Sequence, residues 1–149
     1  MKRKPIIIFG AVAALLAVYF SLAFLSRTNL QEQYEAAENL MEQSKYDDAI
    51  KIFQQLGPEY KDSLARIAYA RLGLDYNDAQ KYYENEEYKK AAEIFKSLGD
   101  FKDSNELAIE STYQYAITLF NEALYEEALA NFQELGDYQL SNLCCKMLP

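Results

Sequence analysis

Histidine is absent from the 149 residues. With no imidazole there is no histidine base, no Ser-His-Asp arrangement and no conventional zinc site. Cysteine is almost as scarce. The only two, Cys144 and Cys145, are adjacent, and neighbouring cysteines neither close a low-strain disulfide with each other nor form a metal site by themselves. One of them packed as a small apolar residue in a last helical turn is the plainer reading, and an intermolecular disulfide is the other. Glycine numbers five, none in a phosphate-cradling loop after a strand, and no segment reads as a strand. Carboxylate pairs such as Asp47-Asp48, Glu86-Glu87 and Glu126-Glu127 could serve as acid and base, but they stand at helix starts, where negative charge suits the helix dipole. These absences predict a protein that is not an enzyme, with no cofactor, no metal and no small-molecule substrate.

Acidic residues are missing from the first 31 positions, whereas Lys2, Arg3, Lys4 and Arg27 all lie there. The rest of the chain therefore holds all 23 acids against 11 of the 15 bases, a formal charge of −12. Such a domain repels phosphates, so nucleic acid is not an expected partner. Between these bases, Ile6 to Leu25 carries no charge, and twenty helical residues rise about 30 Å, the thickness of a bilayer core. The expectation is a single transmembrane helix over 6–25 after a cytoplasmic N-terminus at 1–5. The flanking charges put the remainder on the extracytoplasmic side of the cell membrane. A cleaved signal peptide is the rival, with small residues at Ser21-Leu22-Ala23, although the apolar run outlasts a usual signal core.

Beyond residue 30 one pattern occurs three times. Tyr46, Ala49, Phe53 and Leu56-Gly57 recur as Tyr88, Ala91, Phe95 and Leu98-Gly99, and again as Tyr125, Ala128, Phe132 and Leu135-Gly136. The offsets are identical, and the copies are 42 and then 37 residues apart, a period typical of helical repeats. Each is preceded by a second amphipathic run: Tyr34, Ala37, Leu40; Tyr76, Ala79, Tyr82; Tyr113, Ala116, Leu119. Two or three residues separate the runs, which allows only antiparallel hairpins. The spacing predicts hairpins over about 30–57, 63–99 and 104–136 and a capping helix over 141–147. Asn29 with Glu32 reads as a capping box opening the first helix, Gly73 as a kink, and the Leu-Gly glycines as left-handed helix ends. Tyr60-Lys61-Asp62-Ser63 and Phe101-Lys102-Asp103-Ser104 follow, with Asp or Ser as N-cap and the aromatic packing back as a staple.

These intervals, and the linker Leu98-Gly99-Asp100-Phe101-Lys102-Asp103-Ser104, resemble the tetratricopeptide repeat (TPR) family, in the variant with such linkers found in bacterial membrane-anchored proteins. The resemblance covers Leu30 to Ser141. It departs at the aromatic starting each first helix, here Gln33, Asp75 and Thr112, and at the turn glycine, here Ser44, Glu86 and Ala123. The resemblance implies an all-α helical-hairpin solenoid, TPR-like, behind the transmembrane helix. It also implies a scaffold or adaptor that holds a protein or peptide partner in a groove lined by Tyr34, Met41, Tyr76, Tyr83, Tyr113 and Phe120. Those aromatics could equally fill space between repeats. A chaperone-like holder of translocating or unfolded chains near a translocon is the alternative function.

Overall fold

The computed structural model describes residues 4–136, with side chains at 16, 18–21, 25 and from 27 onward. The expected capping helix at 141–147 and both cysteines lie outside these residues. Six helices are described, α1 (Lys4–Glu42), α2 (Tyr46–Leu56), α3 (Ser63–Glu84), α4 (Tyr88–Leu98), α5 (Ser104–Asn121) and α6 (Tyr125–Leu135), and no strand. The chain divides into two compact units, Met1–Ala70 and Arg71–Pro149.

The structure is all-helical, but the helix expected to cross a membrane is not supported. Residues 6–25 are not a separate element; they form part of the 39-residue α1, which runs on through Arg27 and four glutamates to Glu42. Among the described residues no helix is long and apolar enough to cross a membrane. The single-pass cell-membrane location, with a cytoplasmic N-terminus and an extracytoplasmic repeat domain, rested on that span and is corrected with it. The capping box at Asn29 fails for a related reason. No proline or glycine interrupts residues 11–56, and one asparagine cannot end a helix whose neighbours on both sides favour it. Its side-chain oxygen accepts a hydrogen bond from Gln33 within α1 instead.

In the first unit α1 and α2 pack as a hairpin around Tyr34, Ala37, Ala49 and Phe53, with Leu40, Met41, Ile52, Leu56, Tyr60 and Ile67 at the margin. In the second unit Tyr76 and Ala79 of α3 meet Ala91, Phe95 and Leu98 of α4, and Phe101 and Ala108 join the same cluster. The α5–α6 hairpin buries Ala116, Leu119 and Ala128. The three short helices have 11 residues each, too few to persist alone in water, so the packed face holds them helical. Two alanines per hairpin, Ala37 with Ala49, Ala79 with Ala91 and Ala116 with Ala128, are essentially inaccessible.

The inter-helix turns close identically. Ser44, Glu86 and Ala123 adopt φ of 58°, 64° and 62°. Their amides bond three residues back, to Met41, Tyr83 and Phe120, and the next amide reaches five back, to Leu40, Tyr82 and Leu119, at 2.9 Å in each case. This is the Schellman arrangement. Left-handed positions therefore occur in the hairpin turns, at residues that are not glycine. The Leu-Gly glycines have positive φ as expected, but with ψ of 162°, −125° and −149° they lie outside the left-handed helical well. Left-handed backbone costs a residue with a side chain about 1–2 kcal/mol, of which the looser unfolded chain of glycine offsets about 0.4–1. Ala123→Gly should therefore stabilise the protein by about 0.5–1 kcal/mol, read as a higher urea midpoint at unchanged slope. An unchanged or lower midpoint would show that the turn is not strained.

Candidate functional site

The six residues expected to line a groove divide by burial. Tyr34 and Tyr76 are core residues, 8% and 6% exposed, and Met41 packs against the first core. Tyr83 is half-buried against the second core, its ring 5.3 Å from Tyr88 edge to face. Tyr113 is half-buried with its ring 5.8 Å from Phe132. Phe120 alone is well exposed, at 55%, leaning on Tyr125 at 5.4 Å. Tyr34, Met41 and Tyr76 thus take packing positions. A tyrosine at the start of the repeat register faces its own hairpin partner, because the aromatic that follows Leu-Gly closes over it.

That closure explains the Lys-Asp-Ser linkers. Phe95 meets the Tyr76 ring edge-on at 5.7 Å, Phe101 lies at 5.9 Å and the Lys102 ammonium is 4.5 Å above it. The Tyr76 hydroxyl donates to Asp103 at 2.5 Å and accepts from Gln80. Tyr34 repeats the pattern: Phe53 at 5.5 Å, Tyr60 at 6.0 Å, Lys61 at 4.1 Å, and a hydroxyl that donates to Asp62. Both lysines reach the ring from positive φ, 48° and 53°. Asp103 is not the side-chain N-cap expected. Ser63 donates to the Tyr60 carbonyl, and the Asp62 and Asp103 carboxylates each take a tyrosine hydroxyl. In the third copy the linker reads Tyr138-Gln139-Leu140-Ser141, without lysine or aspartate.

Arg66 completes the first clamp, 3.1 Å from both Glu38 and Asp62. The Tyr34 hydrogen bond, then a bond from the Asp62 backbone amide and the Arg66 charge, hold the Asp62 carboxyl below its ordinary value against a smaller upward push from burial. Burial, then the Asp62 bond, pushes the Tyr34 phenol up. A depressed carboxylate stabilises the fold above about pH 4 and stops doing so as pH falls through its folded value; a raised phenol stabilises it below about pH 10 and stops as pH rises. Asp62→Asn should therefore flatten the acid limb of a stability–pH curve and lessen the alkaline limb, of which burial of Tyr34 keeps the larger part. An acid limb as steep as in the wild type would contradict the clamp.

Exposed apolar side chains occur in both units, and the second also carries an open cleft. The α3–α4 turn, α5 and the α5–α6 turn border this cleft, of about 440 Å³. Tyr88, Tyr115, Leu119 and Leu124 form its apolar lining and Glu86, Glu87, Glu122 and Glu127 supply carboxylates, with Lys89 and Lys90 on one side. Lys90 is paired with Glu87 at 2.5 Å, while Lys89 stands 5.9 Å from the Tyr115 ring. A second hollow of about 350 Å³, lined by Ala123 to Glu127, adjoins it through Leu124 and Glu127. Beside them Tyr125 and Leu129 are 59% and 56% exposed. Among the described residues no group of three or more Asp, Glu, Cys or His is placed to hold a metal.

Tyr115, Leu124, Tyr125 and Leu129 are absent from the groove inferred from sequence. Comparing the copies could have found Tyr125 and Leu129. Tyr125 occupies the register of Tyr46, which is 3% exposed, and of half-buried Tyr88; Leu129 that of half-buried Ile50 and buried Ala92. The third hairpin leaves exposed what the other two bury wholly or in part. Comparison of the chain with protein-family models, curated proteins and solved structures gives no match.

Proposed function

We propose that the chain is a TPR-like scaffold or adaptor that binds a protein or peptide partner through its α5–α6 hairpin. The observation that carries this reading is the group of exposed apolar side chains there: Phe120, Leu124, Tyr125 and Leu129. Single exposed apolar residues are ordinary on any surface, but four on one hairpin, bordered by carboxylates, support the reading of an interaction face. Aromatic side chains suit that role because they bring large contact area at small entropic cost. Tyr83 and Tyr113, half-buried on α3 and α5, support the second unit's packing behind this face.

The test is selection of a displayed random 16-residue peptide library on the immobilised full chain. This reading expects an enriched consensus with an apolar or aromatic anchor, whose binding is lost in Phe120→Ala with Leu129→Ala while the melting temperature holds. No consensus, or one indifferent to both substitutions, would overturn it.

A further inference from the structure

From Ser104 to Leu135 the α5–α6 hairpin carries six glutamates and no lysine or arginine. One of them, Glu134, is paired with Lys96 at 2.7 Å. Glu86, Glu122 and Glu127, which line the cleft, make no ion pair or side-chain hydrogen bond among the described residues. Of the two cleft lysines, Lys90 is already held by Glu87, so Lys89 alone stands against three unneutralised carboxylates. The lining beneath is apolar, and Leu124 continues it toward Tyr125.

We infer that this cleft takes a cationic peptide segment of a partner protein: an apolar anchor seated against Leu119, Leu124 and Tyr115, flanked by lysine or arginine facing Glu86, Glu122 and Glu127. The inference rests on the proposed binding function and adds the chemistry of the partner. Charge complementarity decides between occupants. An acidic or neutral segment would leave the carboxylates uncompensated, and a second copy of the same hairpin would set like charge against like. The carboxylates act on approach and on choice of partner more than on the apolar anchor's own contribution. Volume agrees with one or two side chains in the cleft, the rest of the segment lying across the neighbouring hollow.

The library selection separates this inference from the reading beneath it. The enriched consensus should hold at least one Lys or Arg within a few positions of its anchor. A synthetic consensus peptide should bind the full chain about tenfold more weakly after Glu122→Gln with Glu127→Gln, as expected for two partly exposed ion pairs. It should also weaken as salt rises from 50 to 500 mM, because exposed charges are screened. A consensus that is neutral or acidic, or one unaffected by the two Gln substitutions and by salt, overturns the inference and leaves peptide binding standing. No consensus at all overturns both. Self-association of the chain that disappears in Leu129→Lys would assign the face to a second copy and overturn the inference as well.

Discussion

Phe95→Ala should lower the unfolding free energy by about 3–5 kcal/mol, the range for truncating a large buried aromatic. Phe95 has no accessible surface, and it shares one cluster with Tyr76, Ala79, Ala91, Leu98, Phe101 and Ala108, drawn from α3, α4, the linker and α5. No single element can relax into the space it leaves, so transfer and cavity terms both count. The edge-on contact with Tyr76 is lost too, and with it the support beneath the ring that Lys102 and Asp103 close over. Phe120→Ala is the control of the same chemistry: with more than half its surface exposed, it should cost less than about 1 kcal/mol. A Phe95→Ala loss as small as that in denaturant melts would remove Phe95 from the core.

Ala91→Leu should destabilise by about 1–3 kcal/mol although it adds apolar surface, because overpacking a close contact forces neighbouring side chains and backbone apart. Ala91 is fully buried in the same cluster as fully buried Ala79, one on each helix of the hairpin, and alanines hold the same register in all three hairpins. Only a methyl group on each side lets an 11-residue helix lie close enough to bury its phenylalanine. Ala130→Leu, on the exposed side of α6, should change stability by no more than about 0.5 kcal/mol. A neutral or stabilising Ala91→Leu would mean that the helices have room between them.

The hairpins were readable in the sequence because two independent signals coincide there. The Tyr, Ala and Phe offsets mark the packed stripe, and the Leu-Gly and Asp-Ser steps mark where it stops; α3 and α5 begin at Ser63 and Ser104. Side-chain partners were less legible. Asp62 and Asp103 occupy positions where an N-cap is the common role, and only the fold shows that a tyrosine hydroxyl 28 and 27 residues earlier competes for the carboxylate. The left-handed turn positions were legible only through the resemblance, whose turn glycine falls at Ser44, Glu86 and Ala123; these residues do not themselves favour that conformation, and tertiary closure of the hairpin imposes it. The apolar N-terminal run misled through composition: hydropathy measures length and polarity but does not show that the helix continues without a break into an amphipathic half.

For the six residues expected in a groove, the helical periodicity placed the helices but not the exposure of each side chain. A residue one step off the core stripe is exposed only if nothing folds over it. Tyr83 and Phe120 make the same edge-on contact, with Tyr88 and Tyr125, yet Tyr83 is half-buried against the second core and Phe120 stays open. The difference lies in what surrounds each hairpin rather than in the helix itself, so periodicity along one helix cannot supply it.

The most direct measurement of the account's central claim is the affinity of the selected peptide, labelled for fluorescence anisotropy, for the full chain and for its Phe120→Ala variant. If the open face of α5–α6 is the binding surface, the variant should bind about thirtyfold more weakly, the loss of about 2 kcal/mol that a central aromatic anchor carries, with its melting temperature unchanged. Equal affinity in the two proteins would contradict the claim.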